Sequence, residues 1–213
     1  MRKRAEDGGV AQQWDREVAE EEAQLAAQSG DAYHELLADG ARYHSQRDTR
    51  RAAKAYREAI ALRPDRPEAY FNLGAALNNS GHGVEAAQRF LEAKERYLVG
   101  SVMWARAMSA AFNMLTQEAC AEVAKPEWWN DEGLKALSAR VVRAAPDDGV
   151  ACQMRAEVLT GRAGAAEVGP RSAAELRKAA THYERAAALT SAPAVEAEFA
   201  GDAASCRRQA AAM

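Results

Sequence analysis

Small and aromatic residues recur along the sequence at a fixed spacing of 34 positions, with polar and charged residues between them. Such a period is the signature of a solenoid built from helix–turn–helix repeats, each of which packs on the next. The polar stretch from Asn79 to Gly81 predicts a tight turn between two helices. The matched pairs are Gly40 and Gly74, Ala52 and Ala86, Tyr56 and Phe90, Ala59 and Ala93, and Tyr70 and Trp104.

The recurring small residues predict where the two helices of one repeat cross. Gly74 and Ala86 fit a close crossing, because a side chain larger than methyl there would push the helices apart. Tyr70 and Phe90 then fill the volume beside the crossing. Pro64 follows the second helix of the first repeat, where proline cannot continue it.

Two segments carry a family resemblance. Residues 67–100 resemble a tetratricopeptide (TPR) repeat through Tyr70, Leu73, Gly74, Leu77, Ala86, Phe90 and Ala93. Residues 33–66 match at Gly40, Tyr43, Ala52, Tyr56, Ala59 and Pro64. This first repeat departs at Asp39, where the family has an apolar residue, and at Arg47, where it prefers glycine. The resemblance implies an all-α, right-handed superhelical solenoid.

The remaining chain is divided by the same landmarks. We expect a disordered tail over 1–10, an N-terminal capping helix over 11–30 and one TPR-like solenoid over 31–213. The acidic face of the capping helix, Glu20 to Glu22, is interpreted as solvated, with a docking surface as the alternative. The predicted repeats are 33–66, 67–100, 101–146 with an insertion and 149–192 with an insertion, followed by a capping helix over 194–212.

Composition and charge exclude several classes. The 213 residues are 48% hydrophobic and 28% charged, with a formal net charge of −3, which opposes nucleic-acid binding. No window approaches the ~18 apolar residues of a membrane helix, so no membrane insertion is expected. Three widely spaced cysteines without a CxxC motif, and no secretory signal, predict a reducing compartment. We therefore expect a cytoplasmic location, with an organelle interior left open.

The sequence contains few features that would indicate an active site or a metal site. The four histidines do not combine with cysteine or carboxylate side chains at zinc-ligand spacings, so no metal site is predicted. No nucleotide-binding or nucleophile motif occurs. The prediction is a protein that is not an enzyme and needs no cofactor.

The resemblance implies that the first helices of the repeats line a concave groove that binds peptide segments. In the co-chaperone subclass, five polar residues grip a terminal carboxylate. Asn72 and Arg106 fall on two of those places, whereas Leu37, Ala41 and Val102 fall on the others. Three missing partners argue against that specificity.

The predicted function is a scaffold or adaptor that binds another protein or a peptide segment. The alternatives are a co-chaperone-like carboxylate clamp and a regulatory or structural subunit of a larger complex. The basic stripe from Arg50 to Arg57 is interpreted as a solvated face partnered by acids. Trp128 and Trp129 are either a plug over the solenoid edge or a docking insertion. The candidate groove residues are Phe71, Asn72, Asn79 and Arg106.

Overall fold

A computed structural model describes residues 19–21, 23–25, 30–164 and 169–213. Within these ranges the regular structure is helical and contains no strand, which confirms the all-α prediction. The tail predicted over 1–10 lies outside the described residues. Of the helix predicted over 11–30, residues 19–21 and 23–25 are described and are helical. The insertion after Gly161 is described apart from residues 165–168.

The chain forms two compact units that divide between Tyr97 and Leu98. Unit 1 contains α1 (Ala32–Ser45), α2 (Thr49–Leu62), α3 (Pro67–Asn79) and α4 (Gly83–Arg96). Unit 2 contains α5 (Val102–Leu115), a short 3-10 helix (Glu118–Cys120), α6 (Asp131–Ala144), α7 (Gly149–Thr160), α8 (Ala173–Leu189) and α9 (Pro193–Ala211).

Polar side chains and prolines set the helix starts. At six helices the N-cap side chain accepts a hydrogen bond from a backbone N–H of the first turn, which satisfies a donor that has no partner within the helix. At α8 the cap is reciprocal, because Glu175 also accepts from the backbone N–H of Ser172. Pro67 and Pro193 open α3 and α9, where a missing N–H costs nothing. The capping side chains are Asp31, Asp48, Ser101, Asn130, Asp148 and Ser172.

Unit 1 is a stack of two helix pairs. Each helix contacts its neighbours in sequence, and α1 also contacts α3. The turn inside each pair contains a residue with a left-handed backbone, Arg47 with φ 61° and Gly81 with φ 83°. These two residues are 34 positions apart, so the first repeat keeps the turn geometry although it lacks the glycine.

Unit 2 also packs helix on helix. Contacts join α5 to α6, α6 to α7, α7 to α8 and α8 to α9, and α5 also contacts α7. Ala156 of α7 and Tyr183 of α8 belong to one buried cluster, which Ala203 and Cys206 of α9 close. The predicted repeat boundaries and the single solenoid over 31–213 stay predictions.

Four charged side chains tie α6 to the start of α8. The Arg171 guanidinium lies 2.6 Å and 3.1 Å from the two oxygens of Asp131. The Lys135 ammonium lies 3.0 Å from Asp131 and 2.6 Å from Glu175. Hydrogen bonds from Arg171 lower the pKa of Asp131, and the hydrogen bond from Lys135 is the main cause that lowers the pKa of Glu175 to about 2. Both carboxylates are therefore held in the charged form.

Candidate binding site

Helices α1 and α3, the first helices of the two pairs in unit 1, are tied together at both ends. At one end the Tyr33 hydroxyl donates to Glu68 Oε2 over 3.3 Å. At the other end Asn79 Nδ2 lies 2.7 Å from His44 Nε2. In each pair the two residues are 35 positions apart in the sequence, one more than the repeat period. Both contacts therefore reflect the same displacement of α3 along α1.

Charged groups hold the Tyr33 end of this face in place. The Arg66 guanidinium donates to both oxygens of Glu68, over 3.2 Å and 3.3 Å. The Arg63 guanidinium lies 2.6 Å from Asp31 and stacks over the Tyr33 ring at 5.3 Å. Burial raises the pKa of Tyr33, so its hydroxyl keeps the proton that it donates.

Three of the predicted groove residues lie on α3. Phe71 is 8% exposed, and its ring meets Phe90 edge-on at 5.4 Å. Asn79 is engaged by His44. Asn72 is half-buried, and its side chain has no hydrogen bond or ion pair with any residue that the structure describes. The Asn72 amide is therefore the predicted groove residue with donor and acceptor atoms open to a ligand.

The fourth predicted residue, Arg106, lies on α5 in unit 2. Its Nε atom is 3.3 Å from Asp148 Oδ2, and its side chain is 38% exposed. Asp148 also accepts from the backbone N–H of Ala151 and so caps α7. Arg106 thus joins α5 to the start of α7, and its guanidinium is partly engaged within unit 2.

The insertion after α5 folds back onto unit 2. The Trp129 side chain is 7% exposed and stacks on Phe112, with ring centroids 5.4 Å apart. Trp128 is half-buried beside it, at a centroid distance of 5.7 Å. Trp129 therefore packs into the interior, while Trp128 keeps part of its surface open.

Lys125 closes the C-terminal end of α5. Its ammonium donates to the carbonyl oxygens of Leu115 over 2.6 Å and Cys120 over 2.7 Å. The same ammonium lies over the Trp129 ring at 5.4 Å from the centroid. It therefore satisfies two carbonyls and holds the insertion against the helix that precedes it.

The basic stripe on α2 is mostly paired with acids. Arg51 lies 3.4 Å from Asp48, Lys54 lies 3.8 Å from Glu58, and Arg57 lies 3.0 Å from Glu85. The distances are typical of solvated surface pairs. This arrangement matches the interpretation of the stripe as a solvated face.

A group of polar residues on α7 and α9 was not among the predicted site residues. Gln153 Nε2 donates to Glu157 Oε1 over 2.8 Å on α7. On α9 Asp202 accepts from Arg162 over 2.6 Å. Burial raises the pKa of Glu157. The signal that finds these residues in the sequence is their register, because Glu157 and Asp202 each directly follow the residue at the glycine place of the repeat, Ala156 and Gly201.

Comparison with known proteins agrees with this architecture. A family model described as a TPR repeat matches residues 40–81, which run from α1 through the end of α3. Residues 40–81 therefore belong to a TPR repeat region. The match confirms the resemblance seen at Gly40, Gly74 and the residues around them. No curated protein matches the chain.

TPR repeats mediate protein–protein interactions and are typically non-catalytic. The described parts of the chain contain no cluster of three or more His, Cys, Asp or Glu side chains suited to a metal ion. None of the described helices is long and apolar enough to span a bilayer. Cys120, Cys152 and Cys206 are buried free thiols.

Proposed function

We propose that this TPR protein is a non-catalytic scaffold that holds an extended segment of a partner protein on the face formed by α1 and α3. The observation that carries the proposal is the free Asn72 amide, which lies on a helix tied at both ends to its neighbour. A primary amide offers two donors and an acceptor, the groups that a peptide backbone requires from its binding site.

The rigidity of this face supports the same function. Tyr33 with Glu68 and His44 with Asn79 fix α1 against α3 before any partner binds. A surface that is already ordered loses less conformational entropy on binding than a mobile one, so more of the contact energy becomes affinity. The face therefore suits an extended segment that becomes ordered only when bound.

The other predicted residues have different roles in this proposal. Phe71, which packs on Phe90, contributes an apolar floor beside Asn72. Asn79 positions α3 through His44. Arg106 supplies a further donor in unit 2, where Asp148 already holds part of its guanidinium. The proposed binding residues remain Phe71, Asn72, Asn79 and Arg106.

The test begins with identification of the partner by affinity purification and mass spectrometry, using the full chain. Binding of the purified partner is then measured by calorimetry for the wild type, Asn72→Ala and Gln88→Ala. Gln88 is the matched control, because it is an exposed amide on α4, the second helix of its pair.

We expect Asn72→Ala to weaken binding about 3- to 10-fold, the effect of losing one neutral hydrogen bond at about 0.5–1.5 kcal/mol. Gln88→Ala should leave the affinity unchanged. Equal affinities of the two variants for the partner would place its binding site elsewhere on the protein.

A further inference from the structure

Among the residues that the structure describes, five arginines are half-buried, and four of them pair with a carboxylate. A half-buried guanidinium has lost part of its hydration, so it ordinarily has an acidic partner in the fold. Arg155 on α7 is the exception, because none of the described residues forms an ion pair with it. The paired arginines are Arg63 with Asp31, Arg89 with Glu92, Arg106 with Asp148 and Arg171 with Asp131.

Two hydrogen bonds fix the orientation of the Arg155 guanidinium. Its Nη1 atom donates to the carbonyl oxygen of Lys135 over 2.7 Å and to Ser138 Oγ over 2.9 Å, both on α6. Ser138 is buried, and its hydroxyl donates to the carbonyl oxygen of Leu134 over 2.7 Å. The guanidinium is therefore positioned before any ligand arrives, which reduces the entropy that binding must overcome.

The other edge of the Arg155 guanidinium is available to a ligand. Its Nε and Nη2 atoms have no hydrogen-bond partner among the described residues, and neither atom is buried. An arginine that presents two N–H groups side by side binds both oxygens of a carboxylate. Arg171 binds Asp131 with two such bonds in the same unit, over 2.6 Å and 3.1 Å.

Positive charge surrounds this edge of the guanidinium. Burial, and after it the charges of Arg155 and Arg185, lower the pKa of His182 on α8. These three side chains of α7 and α8 therefore share one basic environment. Two acids of this region have other partners. Asp147 lies 2.8 Å from Arg185, and Glu175, which acts electrostatically on Arg155, lies 2.6 Å from the lysine of its own cluster.

We propose that Arg155 binds the carboxylate of an aspartate or glutamate side chain in a partner protein segment, through its Nε and Nη2 atoms. His182 and Arg185 add positive charge around this site. The inference rests on the proposed function, because it assumes that the partner is a protein segment. It adds a charge requirement that the neutral Asn72 amide does not impose.

The test uses the full chain and a defined probe, a fluorescein-labelled, end-capped peptide of alternating glutamate and alanine. A matched peptide carries glutamine at each glutamate position. Fluorescence anisotropy measures the affinity of both peptides for the wild type, Arg155→Gln, Arg155→Lys and Arg143→Gln. Arg143 is the control, because it is an exposed arginine of unit 2 on α6 and its substitution by glutamine changes the net charge equally.

We expect the glutamate peptide to bind the wild type and the glutamine peptide to bind much more weakly. Arg155→Gln should weaken binding of the glutamate peptide about 10-fold, whereas Arg143→Gln should leave it unchanged. Arg155→Lys should give an intermediate loss, because lysine keeps the charge but cannot form two parallel bonds. Melting temperatures verify folding, since Arg155 also joins α7 to α6. If Arg155→Gln does not fold, the comparison of Arg155→Lys with the wild type decides.

Equal losses in Arg155→Gln and Arg143→Gln would show general attraction between opposite charges and overturn the proposal. Equal binding of the two peptides by the wild type, or an Arg155→Lys protein that binds like the wild type, would also overturn it. None of these outcomes touches the Asn72→Ala result with the purified partner, so failure of this site and failure of the α1–α3 face can be told apart.

Discussion

Gly74 faces the ring of Phe90 so closely that a β-carbon on Gly74 would lie 2.9 Å from Phe90 Cδ1. The relationship recurs one period earlier, where a β-carbon on Gly40 would collide with the ring of Tyr56. Phe90 and Tyr56 are both buried, so neither ring can turn away into solvent. In each repeat of unit 1, the first helix therefore packs closely on the second where a glycine faces an aromatic ring.

Gly74→Leu should destabilise the protein by several kcal/mol. Overpacking alone costs about 1–3 kcal/mol, and the displaced Phe90 ring adds to it because the surrounding helices must separate. The measurement is the free energy of unfolding from denaturant titration followed by circular dichroism.

The matched control for that prediction is Gly201→Ala on α9. Nothing lies within 4 Å of the place that its β-carbon would take, so the substitution meets open space. Alanine there should stabilise the helix by up to about 1 kcal/mol, because glycine is the poorer helix former. A Gly74→Leu protein that unfolds like the wild type would show that the glycine place has been misaligned.

The helical fold follows from the sequence because its determinants are local and periodic. The 34-residue recurrence of Gly40, Gly74 and their aromatic partners specifies a repeating crossing. The family model that matches residues 40–81 confirms the part of the prediction that rests on this recurrence.

The side-chain contacts of the candidate site depend on three-dimensional geometry that the 34-residue period does not specify. The Asn79–His44 hydrogen bond has an offset of 35 and depends on how far α3 is displaced along α1. The burial of Trp129 depends on the path by which the insertion returns to Phe112, and that path is irregular. Glu157 gives no such signal, because an isolated acidic residue on a helix resembles an ordinary solvated position.

A peptide that ends in Glu-Glu-Val-Asp should not bind tightly. The places where a carboxylate clamp needs polar side chains hold Leu37 and Ala41, which are 1% and 3% exposed. Missing partners for a charged group cost about 1.5–3 kcal/mol each, so the dissociation constant should rise by orders of magnitude. Calorimetry with the free peptide checks this. Micromolar binding that Arg106→Ala abolishes would establish the clamp after all.

Asn72→Ala combined with Arg106→Ala should weaken binding of a partner that contacts both side chains by about 10-fold or more, with helicity retained. Pull-downs of the natural partner measure the loss.

The competing surface is the insertion, tested by Trp128→Ala alone. Trp129→Ala is unsuitable, because removing a buried ring costs about 3–5 kcal/mol of stability. Loss of the partner only with Trp128→Ala would assign binding to the insertion.

Unit 2 should lose stability in acid through Glu175. The folded-state pKa of Glu175, about 2, is lower than its usual 4.5, so its contribution is present above pH 4.5 and is lost as the pH falls toward 2. A shift of this size corresponds to at most about 3 kcal/mol, less the screening by water. Thermal unfolding at pH 7 and pH 2.5 measures the loss.

Lys135→Met removes the main cause of this shift, so its stability should fall less between the two pH values than that of the wild type. Lys178→Met is the control, since Lys178 is an exposed lysine on α8 outside the cluster of Asp131, Lys135, Arg171 and Glu175. If all three proteins lose the same stability in acid, other carboxylates are responsible.

The buried cluster that holds Ala156 and Tyr183 has a consequence for how this chain tolerates changes of length. Gly74 and Phe90 are 16 residues apart, whereas Ala156 and Tyr183 are 27 apart, yet both pairs join a small residue to an aromatic ring inside one helix pair. A small residue and an aromatic ring therefore come together in the interior of both units, although the number of residues between them differs. The interior of unit 2 therefore accommodates a longer connection between α7 and α8.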